Sequence, residues 1–373
     1  MLQTGANMST SSIFVDYHIL KSFCNAVFLK NGLDPEGAGC ITNVLLAADM
    51  RGIPSHGTGR LQRYVNGLKT GQMKPGDLSE TVKDTPLSTV INAHGMMGPP
   101  VSVKAMEITI DKAEKNGAAF CCVHDSNHFG IAGYYAMMAL KHDMIGIAMT
   151  NTAALGVPTF GRQVMFGTNP LAFCAPALKE GAFVLDMSTT VVSRGKIEVY
   201  ERENKKLPDN WAVDKTGKSA NDAGKILDDM FNRYGGGILP LGGFGEQYGG
   251  YKGYGLAVMV DILCSVLCGA PFGSAINDTA TSSARVSHFF GAIKIDSFRE
   301  PKAFRLDMDK MLSQLKNTPV AEGEDRVYFA GQKEMEHEEK AKEKGIPLSR
   351  TTFDSLSRMS KNLKIEFPDI MSK

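Results

Sequence analysis

The sequence of 373 residues lacks the features that mark several large classes of protein. Its formal net charge is only +1 and its basic residues are interspersed with acidic ones. The sequence therefore shows no basic patch that would bind nucleic acid or an anionic membrane surface. Its seven cysteines are an odd number without zinc-ligand spacing, and no set of His, Cys, Asp and Glu has the spacing of a metal site. We therefore expect no nucleic-acid partner, no membrane and no metal, and a reducing compartment for free thiols.

A leader peptide and a membrane span are not expected either. The opening MLQTGANMSTSS has no cationic segment followed by an apolar one, so the cytoplasm is the expected compartment. The longest apolar run, residues 254–272, approaches the length of a membrane span. It contains Asp261, which would be costly in hydrocarbon, and it is interrupted by Gly and Pro. We expect this run to form a buried helix of a soluble protein.

Nucleotide-binding fingerprints are also missing. No strand is followed by a complete G-x-G-x-x-G, because Tyr248 stands where the third glycine would follow Gly243 and Gly245. The segment AVDKTGKS, residues 212–219, ends like a P-loop but lacks the first glycine and follows no buried strand. The sequence therefore indicates neither an NTPase nor a Rossmann-type dinucleotide site.

The spacing of apolar residues indicates an α/β protein. From residue 87 onward strand-like and helical segments alternate, which is typical of this class. The chain is longer than one hydrophobic core usually supports, so two packed regions are expected. Helices are predicted over residues 15–30, 36–51, 101–116, 132–142, 256–268 and 333–344, strands over 88–93, 117–124, 144–151, 171–177 and 182–187, and a mostly irregular polar segment over 201–223.

Several blocks spread along most of the chain carry a resemblance to a known family. They are ADMRGIPSHGTGRLQRY (48–64), DSNHFGIAGYYAMMAL (125–140), IGIAMTNT (145–152), FGTNPLA (166–172), VLDMSTT (184–190), LPDNWAVD (207–214), ILPLGG (238–243) and YKGYGLA (251–257). Together they resemble the type-2 malate/L-lactate dehydrogenase family, whose members transfer hydride between a nicotinamide cofactor and a small 2-hydroxy acid or a related imino acid. The resemblance implies NAD or NADP as the cofactor and a homodimer as the assembly.

The resemblance also implies a division of the chain. Residues 86–285 would form a non-Rossmann, mixed-sheet domain that binds the cofactor. Residues 12–85 and 286–373, from both chain ends, would form a second lobe with helices. On such a sheet the cofactor phosphates are held by backbone N–H groups of loops and helix starts, which require no fixed glycine spacing.

A proton acceptor is the first requirement of a 2-hydroxy acid dehydrogenase. The resemblance makes His56 this acid/base residue, grouped with Ser55 and Asp186, because a carboxylate can orient an imidazole and stabilise it once protonated. Ser55 and His56 are adjacent, so their side chains are expected to point in different directions. Asp186 lies far away in sequence, and only tertiary folding could bring it to them.

His128, in the block DSNHFG, is the alternative acid/base residue. Some members of the family use the histidine of this block as the proton acceptor or place it beside the nicotinamide, and both histidines remain candidates here. A plainer interpretation is that Asn127 and His128 cap a helix that begins near Ile131.

Arg60 matches the arginine with which the family binds the substrate carboxylate. A planar guanidinium grips a carboxylate through two parallel hydrogen bonds, which lysine cannot reproduce. Tyr64, one helical turn later, would face the same side if a helix continues from Thr58. For a dicarboxylate such as malate, the cluster Arg194-Gly195-Lys196 is one source of a second cation. A surface pair and a contact to the cofactor phosphates are the alternatives for this cluster.

The cofactor contacts are carried over from the same blocks. They are His128, Thr152, Asp186, Met187, Ser188 and Lys252. The glycines around Lys252 would let the backbone approach a ligand closely, or would simply form a turn.

Malate, oxidised reversibly to oxaloacetate, is the expected substrate. Lactate, sulfolactate, ureidoglycolate, diketogulonate and cyclic imino acids such as piperideine-carboxylate are alternatives within the family. A hydrolase that uses Ser55, His56 and Asp186 is an alternative of another class, opposed by the absence of G-x-S-x-G and by the awkward geometry of a serine next to its own base. A binding protein without catalysis is a third class, opposed by the presence of every expected site residue.

Overall fold

The computed structural model describes residues 12–277 and 283–368. The chain divides into two compact units, a terminal unit of Met1–Gly76 with Gln332–Lys373 and a sheet unit of Asp77–Gly331. These divisions differ from the sequence-based boundaries after residues 85 and 285. The reason is that strand β10, Val286–Lys294, hydrogen-bonds between two strands of the sheet unit and therefore belongs to it.

The terminal unit is mostly helical. Two aspartates fix its first helices, because Asp16 accepts hydrogen bonds from the backbone N–H groups of His18 and Ile19, and Asp34 accepts one from Gly37. The chain ends are joined by an antiparallel strand pair, β1 with β11. The elements are β1 (Ile13–Val15), α1 (Tyr17–Lys30), α2 (Pro35–Met50), α3 (Leu61–Thr70), α10 (Gln332–Lys344), β11 (Ile346–Leu348) and α11 (Arg350–Leu363).

The sheet unit alternates strands and helices over much of its length. Its strands are β2 (Glu80–Asp84), β3 (Ser88–Asn92), β4 (Ala118–Ser126), β5 (Met144–Thr150), β6 (Leu171–Ala175), β7 (Phe183–Met187), β8 (Ala212–Val213), β9 (Gly237–Ile238) and β10. Its helices are α4 (Gly98–Asn116), α5 (Ala132–Met138), α6 (Arg194–Arg202), α7 (Ala223–Asn232), α8 (Gly250–Cys264) and α9 (Pro301–Lys316).

Seven strands form one mixed sheet in the order β2-β3-β4-β10-β5-β6-β7. Of its six strand pairs, only β3 with β4 is parallel. Successive side chains of the central strand β10 face opposite sides. Phe290 contacts Tyr135 of α5, whereas Phe289 packs in a core cluster with α8 residues such as Val260. The prediction of a mixed α/β protein is therefore confirmed.

Helix α8 holds the first part of the long apolar run, which continues beyond Cys264. One face packs on the sheet, while Ile262 is 49% exposed and Leu267, just after the helix, is 61% exposed. Asp261 lies on the buried face, where burial raises the pKa of its carboxyl. Among the described residues, one segment, Gly250–Cys268, is long and apolar enough to cross a membrane. Core helices of soluble proteins pass the same test.

Candidate active site

Ser55 and His56 lie in a tight turn after α2. The turn consists of two single 3₁₀ turns, Pro54–His56 and Thr58–Arg60. Ser55 Oγ lies 2.9 Å from His56 Nδ1, within hydrogen-bond distance. The different directions expected for adjacent side chains do not keep these two apart. In a 3₁₀ turn, successive side chains diverge by about 120° rather than the 180° of an extended chain, so the short serine hydroxyl can reach the ring.

Asp49, at the end of α2, anchors this turn from inside the terminal unit. Its Oδ2 accepts hydrogen bonds from both Thr58 N and Thr58 Oγ1, each at 2.7 Å. Gly57 passes so close that a Cβ there would lie 1.7 Å from Asp49 Oδ1. Burial raises the pKa of the Asp49 carboxyl to about 6, although the bonds from Thr58 oppose the shift. Sequence reasoning missed Asp49, whose only signal was a carboxylate within an otherwise apolar helix segment.

His56 is half-buried and is held in its neutral form. Burial, together with the smaller effect of the positive charges of Arg60 and Arg63, lowers the pKa of its imidazole to about 4. Arg60 Nε donates a 2.6 Å hydrogen bond to the carbonyl of Ser55, which fixes the guanidinium against the turn. A neutral imidazole can accept a proton, and a neighbouring guanidinium can bind an anion.

Tyr64 lies deeper in the terminal unit. Its side chain, on α3, is fully buried and its ring packs at a tilt against Phe28, with 6.5 Å between ring centroids. Burial raises the pKa of its hydroxyl above the usual range. Its ring is thus part of the core that supports the turn.

Asp186, near the end of β7, caps α5. Its Oδ2 accepts a 2.7 Å hydrogen bond from Gly133 N, in the first turn of the helix. This cap comes from a distant strand, whereas the plainer interpretation of the sequence assigned it to Asn127 and His128. Asn127 instead donates to the carbonyls of Gly95 and Met96.

His128 lies in the loop between β4 and α5. It is half-buried, and its Nδ1 accepts a hydrogen bond from Gly130 N at 3.3 Å. The Tyr135 hydroxyl also holds the loop, because it donates to the carbonyl of Phe129. His128 is therefore presented from an ordered loop.

Thr152 follows β5 and is tied to the block GTNP. Its Oγ1 accepts a 3.0 Å hydrogen bond from Thr168 N, and its own N–H donates to Asn169 Oδ1 at 3.3 Å. Asn169 in turn donates to the carbonyl of Ala257 on α8 at 2.9 Å. A Cβ at Gly167 would lie 2.1 Å from Thr152 Oγ1, so glycine is required there. Sequence reasoning did not identify Asn169 as the link.

The remaining predicted residues lie elsewhere on the sheet unit. Met187 packs with the cluster beneath α8, and Ser188 Oγ donates to the carbonyl of Thr190 at 3.1 Å. Lys252 lies in the first turn of α8, exposed, with its Nζ 5.7 Å from the centroid of the Tyr251 ring. The second-cation candidate Arg194 forms an exposed ion pair with Glu198 at 2.8 Å, as a surface residue would.

The predicted residues thus form two sets. Ser55, His56 and Arg60 gather in one turn of the terminal unit. Tyr64 lies in the core of the same unit. His128, Thr152, Asp186, Met187, Ser188 and Lys252 belong to the sheet unit, where Asp186 contacts α5 and Thr152 connects to α8 through Asn169. Within the described residues, no group of three or more His, Cys, Asp or Glu side chains could hold a metal ion.

Comparisons with known proteins place this chain among dehydrogenases. The family model for malate/L-lactate dehydrogenase matches residues 15–357. The malate dehydrogenase of Pyrococcus abyssi is 38% identical over 347 residues, 93% of this chain and 94% of that protein. The L-sulfolactate dehydrogenase of Methanocaldococcus jannaschii is 35% identical over 345 residues, 92% of this chain and 95% of that protein.

A solved structure agrees over nearly the whole chain. The crystal structure of malate dehydrogenase from Entamoeba histolytica is similar with a TM-score of 0.93 and 32% identity, covering 96% of this chain and all of that one. The resemblance drawn from the sequence blocks is confirmed. The chain belongs to the malate/L-lactate dehydrogenase family.

Proposed function

We propose that the protein is an NAD(P)-dependent dehydrogenase that oxidises (S)-malate reversibly to oxaloacetate. The observation that carries the proposal is the Ser55-His56-Arg60 turn, which sets a neutral imidazole beside a fixed guanidinium. Oxidation of a 2-hydroxy acid requires a proton acceptor and a carboxylate ligand, and this turn supplies both. Malate is favoured because a malate dehydrogenase relative is 38% identical to this chain.

His56 takes the hydroxyl proton in this mechanism while Arg60 holds the substrate carboxylate. A carboxylate at Arg60 offsets the positive charge that lowers the pKa of His56. Substrate binding therefore raises the basicity of the imidazole when a proton has to be taken. His128 is the alternative proton acceptor, and in either case Ser55 orients the His56 ring through its 2.9 Å contact.

The residues of the sheet unit suit a nicotinamide dinucleotide. Helix α8 begins after Gly249, which has a φ of +82°, and it carries Lys252 in its first turn, so the positive end of the helix and an amine lie together. This combination would hold the pyrophosphate, with Thr152, Asp186, Met187, Ser188 and His128 as further contacts. The cofactor, when bound, accepts or delivers the hydride. Either NAD or NADP would serve.

A titration and a substrate panel test the proposal. NADH and NADPH are titrated by fluorescence, and turnover is measured with oxaloacetate, pyruvate, sulfopyruvate and cyclic imino acids. We expect the highest kcat/KM with oxaloacetate. A higher value for another acid would contradict the substrate assignment. Nucleotide binding without turnover would indicate a binding protein, and hydrolysis of p-nitrophenyl esters without nucleotide would indicate a hydrolase.

We further propose that the protein is a cytoplasmic homodimer. The implied family assembly supports this, and so do the exposed apolar side chains along and just after α8, among them Tyr251, Ile262, Val266, Leu267 and Phe272. Apolar surface of this kind is typical of protein interfaces. A net charge of +1 adds little repulsion between two copies.

A further inference from the structure

His288 is a buried polar residue in the middle of the sheet. It lies on β10 between β4 and β5, and its side chain is completely buried. Its Nδ1 lies 2.8 Å from Thr150 Oγ1 and its Nε2 lies 2.8 Å from Ser126 Oγ. The ring stacks on Phe129, with 4.5 Å between centroids and 8° between planes. One imidazole thus connects three strands and a loop.

The strand register aims these hydroxyls at the ring. His288 is directly opposite Thr150 on β5. On the other side, Val286 pairs with Ser126 but His288 pairs with Val123, so β4 carries an extra residue in a β-bulge. A bulge redirects the side chains that follow it. Ser126, at the end of β4, is thereby turned toward His288 Nε2.

The hydrogen-bond distances fit a neutral imidazole. Thr150 Oγ1 lies 3.0 Å from both the Ser287 and the Asn151 carbonyls, to either of which it can donate its single proton. In the tautomer with the proton on Nδ1, Thr150 Oγ1 then accepts from His288 Nδ1–H and Nε2 accepts the proton of Ser126. Both ring nitrogens and both hydroxyls are satisfied with a neutral imidazole.

Both hydroxyls end strands that lead into proposed site residues. Ser126 is followed by Asn127 and His128, and Thr150 is followed by Asn151 and Thr152. The connection to β5 is reinforced because Ser287 N donates to Asn151 Oδ1 at 2.8 Å. A phenylalanine, as at the next two positions of β10, would fill the same space without engaging either strand end.

We propose that His288 is a positioning residue that sets the His128 loop and the Thr152 strand end relative to each other. The role in catalysis rests on the proposed dehydrogenase function, whereas the positioning itself does not. His288 acts through Ser126 on the loop and through Thr150 on the strand end. The effect on the loop and the effect on the strand end can be tested separately, because each depends on one hydroxyl.

The test compares His288→Phe, Ser126→Ala and Thr150→Val with the control Phe290→Leu in the full-length protein. Phe290 lies on the same face of β10 and is fully buried, but it takes no part in the hydrogen bonds around His288. Amide hydrogen exchange is followed over residues 126–131 and 150–153. In parallel, kcat is measured with oxaloacetate and the Kd is measured for NADH.

His288→Phe is expected to speed exchange in both segments and to lower kcat on the order of 10- to 100-fold, as misplacement of reacting groups does. Ser126→Ala should change kcat and the amide exchange of residues 126–131. Thr150→Val should change the Kd for NADH and the amide exchange of residues 150–153. A purely structural role would make His288→Phe resemble Phe290→Leu in exchange and kinetics, which would overturn the proposal.

If His288→Phe does not fold, Ser126→Ala and Thr150→Val test the proposal. The proposal fails if neither variant changes amide exchange in the segment that follows its substituted residue. If the wild type turns over no member of the substrate panel, the dehydrogenase assignment fails. In that case the exchange pattern still decides whether His288 positions the two segments.

Discussion

Two ionisable side chains seven residues apart are shifted in opposite directions by the same burial. Burial raises the pKa of Asp49 to about 6 and lowers that of His56 to about 4. In both cases the neutral form is favoured, because a low-dielectric interior disfavours charge. The turn thus combines a carboxyl that anchors Thr58 with an imidazole ready to accept a proton.

Replacing His56 by alanine tests the acid/base assignment. We expect kcat to fall on the order of 10²-fold or more while the NADH Kd stays unchanged, because only proton transfer is removed. His128→Ala, measured in the same assay, is the matched comparison. Near-normal turnover of His56→Ala together with a large loss in His128→Ala would move the role to His128.

Two substitutions of Arg60 separate its charge from its shape. Arg60→Lys keeps the charge but loses the bidentate geometry, so the KM for oxaloacetate should rise about tenfold or more while the pH profile stays in place. Arg60→Gln also removes a charge that lowers the pKa of His56. The acid limb of kcat/KM for malate oxidation, where the base becomes protonated, should then move to higher pH. Identical pH profiles for the two variants would contradict this electrostatic coupling.

Asp49→Asn should change how stability depends on pH. The pKa of Asp49 is raised from 3.8 to about 6 by folding, so its proton stabilises the folded state fully below pH 4 and this contribution is lost as pH rises through 6. An amide does not titrate. Between pH 4 and 7 the wild type should therefore lose on the order of 2 to 3 kcal/mol relative to Asp49→Asn. Urea unfolding between pH 4 and 7 measures the free energy of unfolding of both proteins. If the two free energies changed with pH in parallel, the prediction would be wrong.

At the scale of elements, local patterns predicted much of the fold. Apolar spacing and end signals located α1, α2 and α4 within a few residues, and apolar runs located β4 to β7. Helix α8 was predicted over 256–268, but it begins at Gly250 and ends at Cys264. Helix α6 was not predicted because its sequence RGKIEVYER is mostly charged and has few apolar residues. The cap that Asp186 provides to α5 and the bond from Asp49 to Thr58 join residues that no local pattern connects.

The glycines of α8 differ in what surrounds them. A Cβ at Gly253 would lie 2.2 Å from the Leu241 carbonyl oxygen, whereas at Gly255 nothing lies within 4 Å. Gly253→Ala should therefore destabilise the protein by about 2 kcal/mol or more, since backbone would have to move. Gly255→Ala should stabilise it by about 0.5 to 1 kcal/mol through helix propensity. Thermal unfolding distinguishes them, and equal effects would refute the packing argument.

At the scale of the whole molecule, the function was predicted from the family resemblance and not from local patterns. The resemblance rested on blocks distributed over both units, and a family model covering residues 15–357 agrees with it. The boundary between the units was misplaced, because nothing local shows that residues 286–294 return to the middle of the sheet.

The homodimer proposal is tested on the exposed face of α8. Ile262→Glu or Leu267→Glu should give a monomer in sedimentation velocity at micromolar concentration, because a buried unpaired charge is costly at an interface. Phe231→Glu is the matched control, since Phe231 is 79% exposed on α7 and its replacement should leave the dimer intact. A wild-type protein that sediments as a monomer would remove the proposal.

The order in which the strands are joined affects how this protein is made. Strand β10 is the last of the seven in sequence, yet it separates β4 from β5 at the centre of the sheet. A growing chain that has emerged from the ribosome only as far as residue 280 holds two half-sheets whose inner edges have no partner. Contacts between such distant residues form slowly, and uncovered edges invite association with other chains. Closure of this sheet thus waits until Val286–Lys294 has been made.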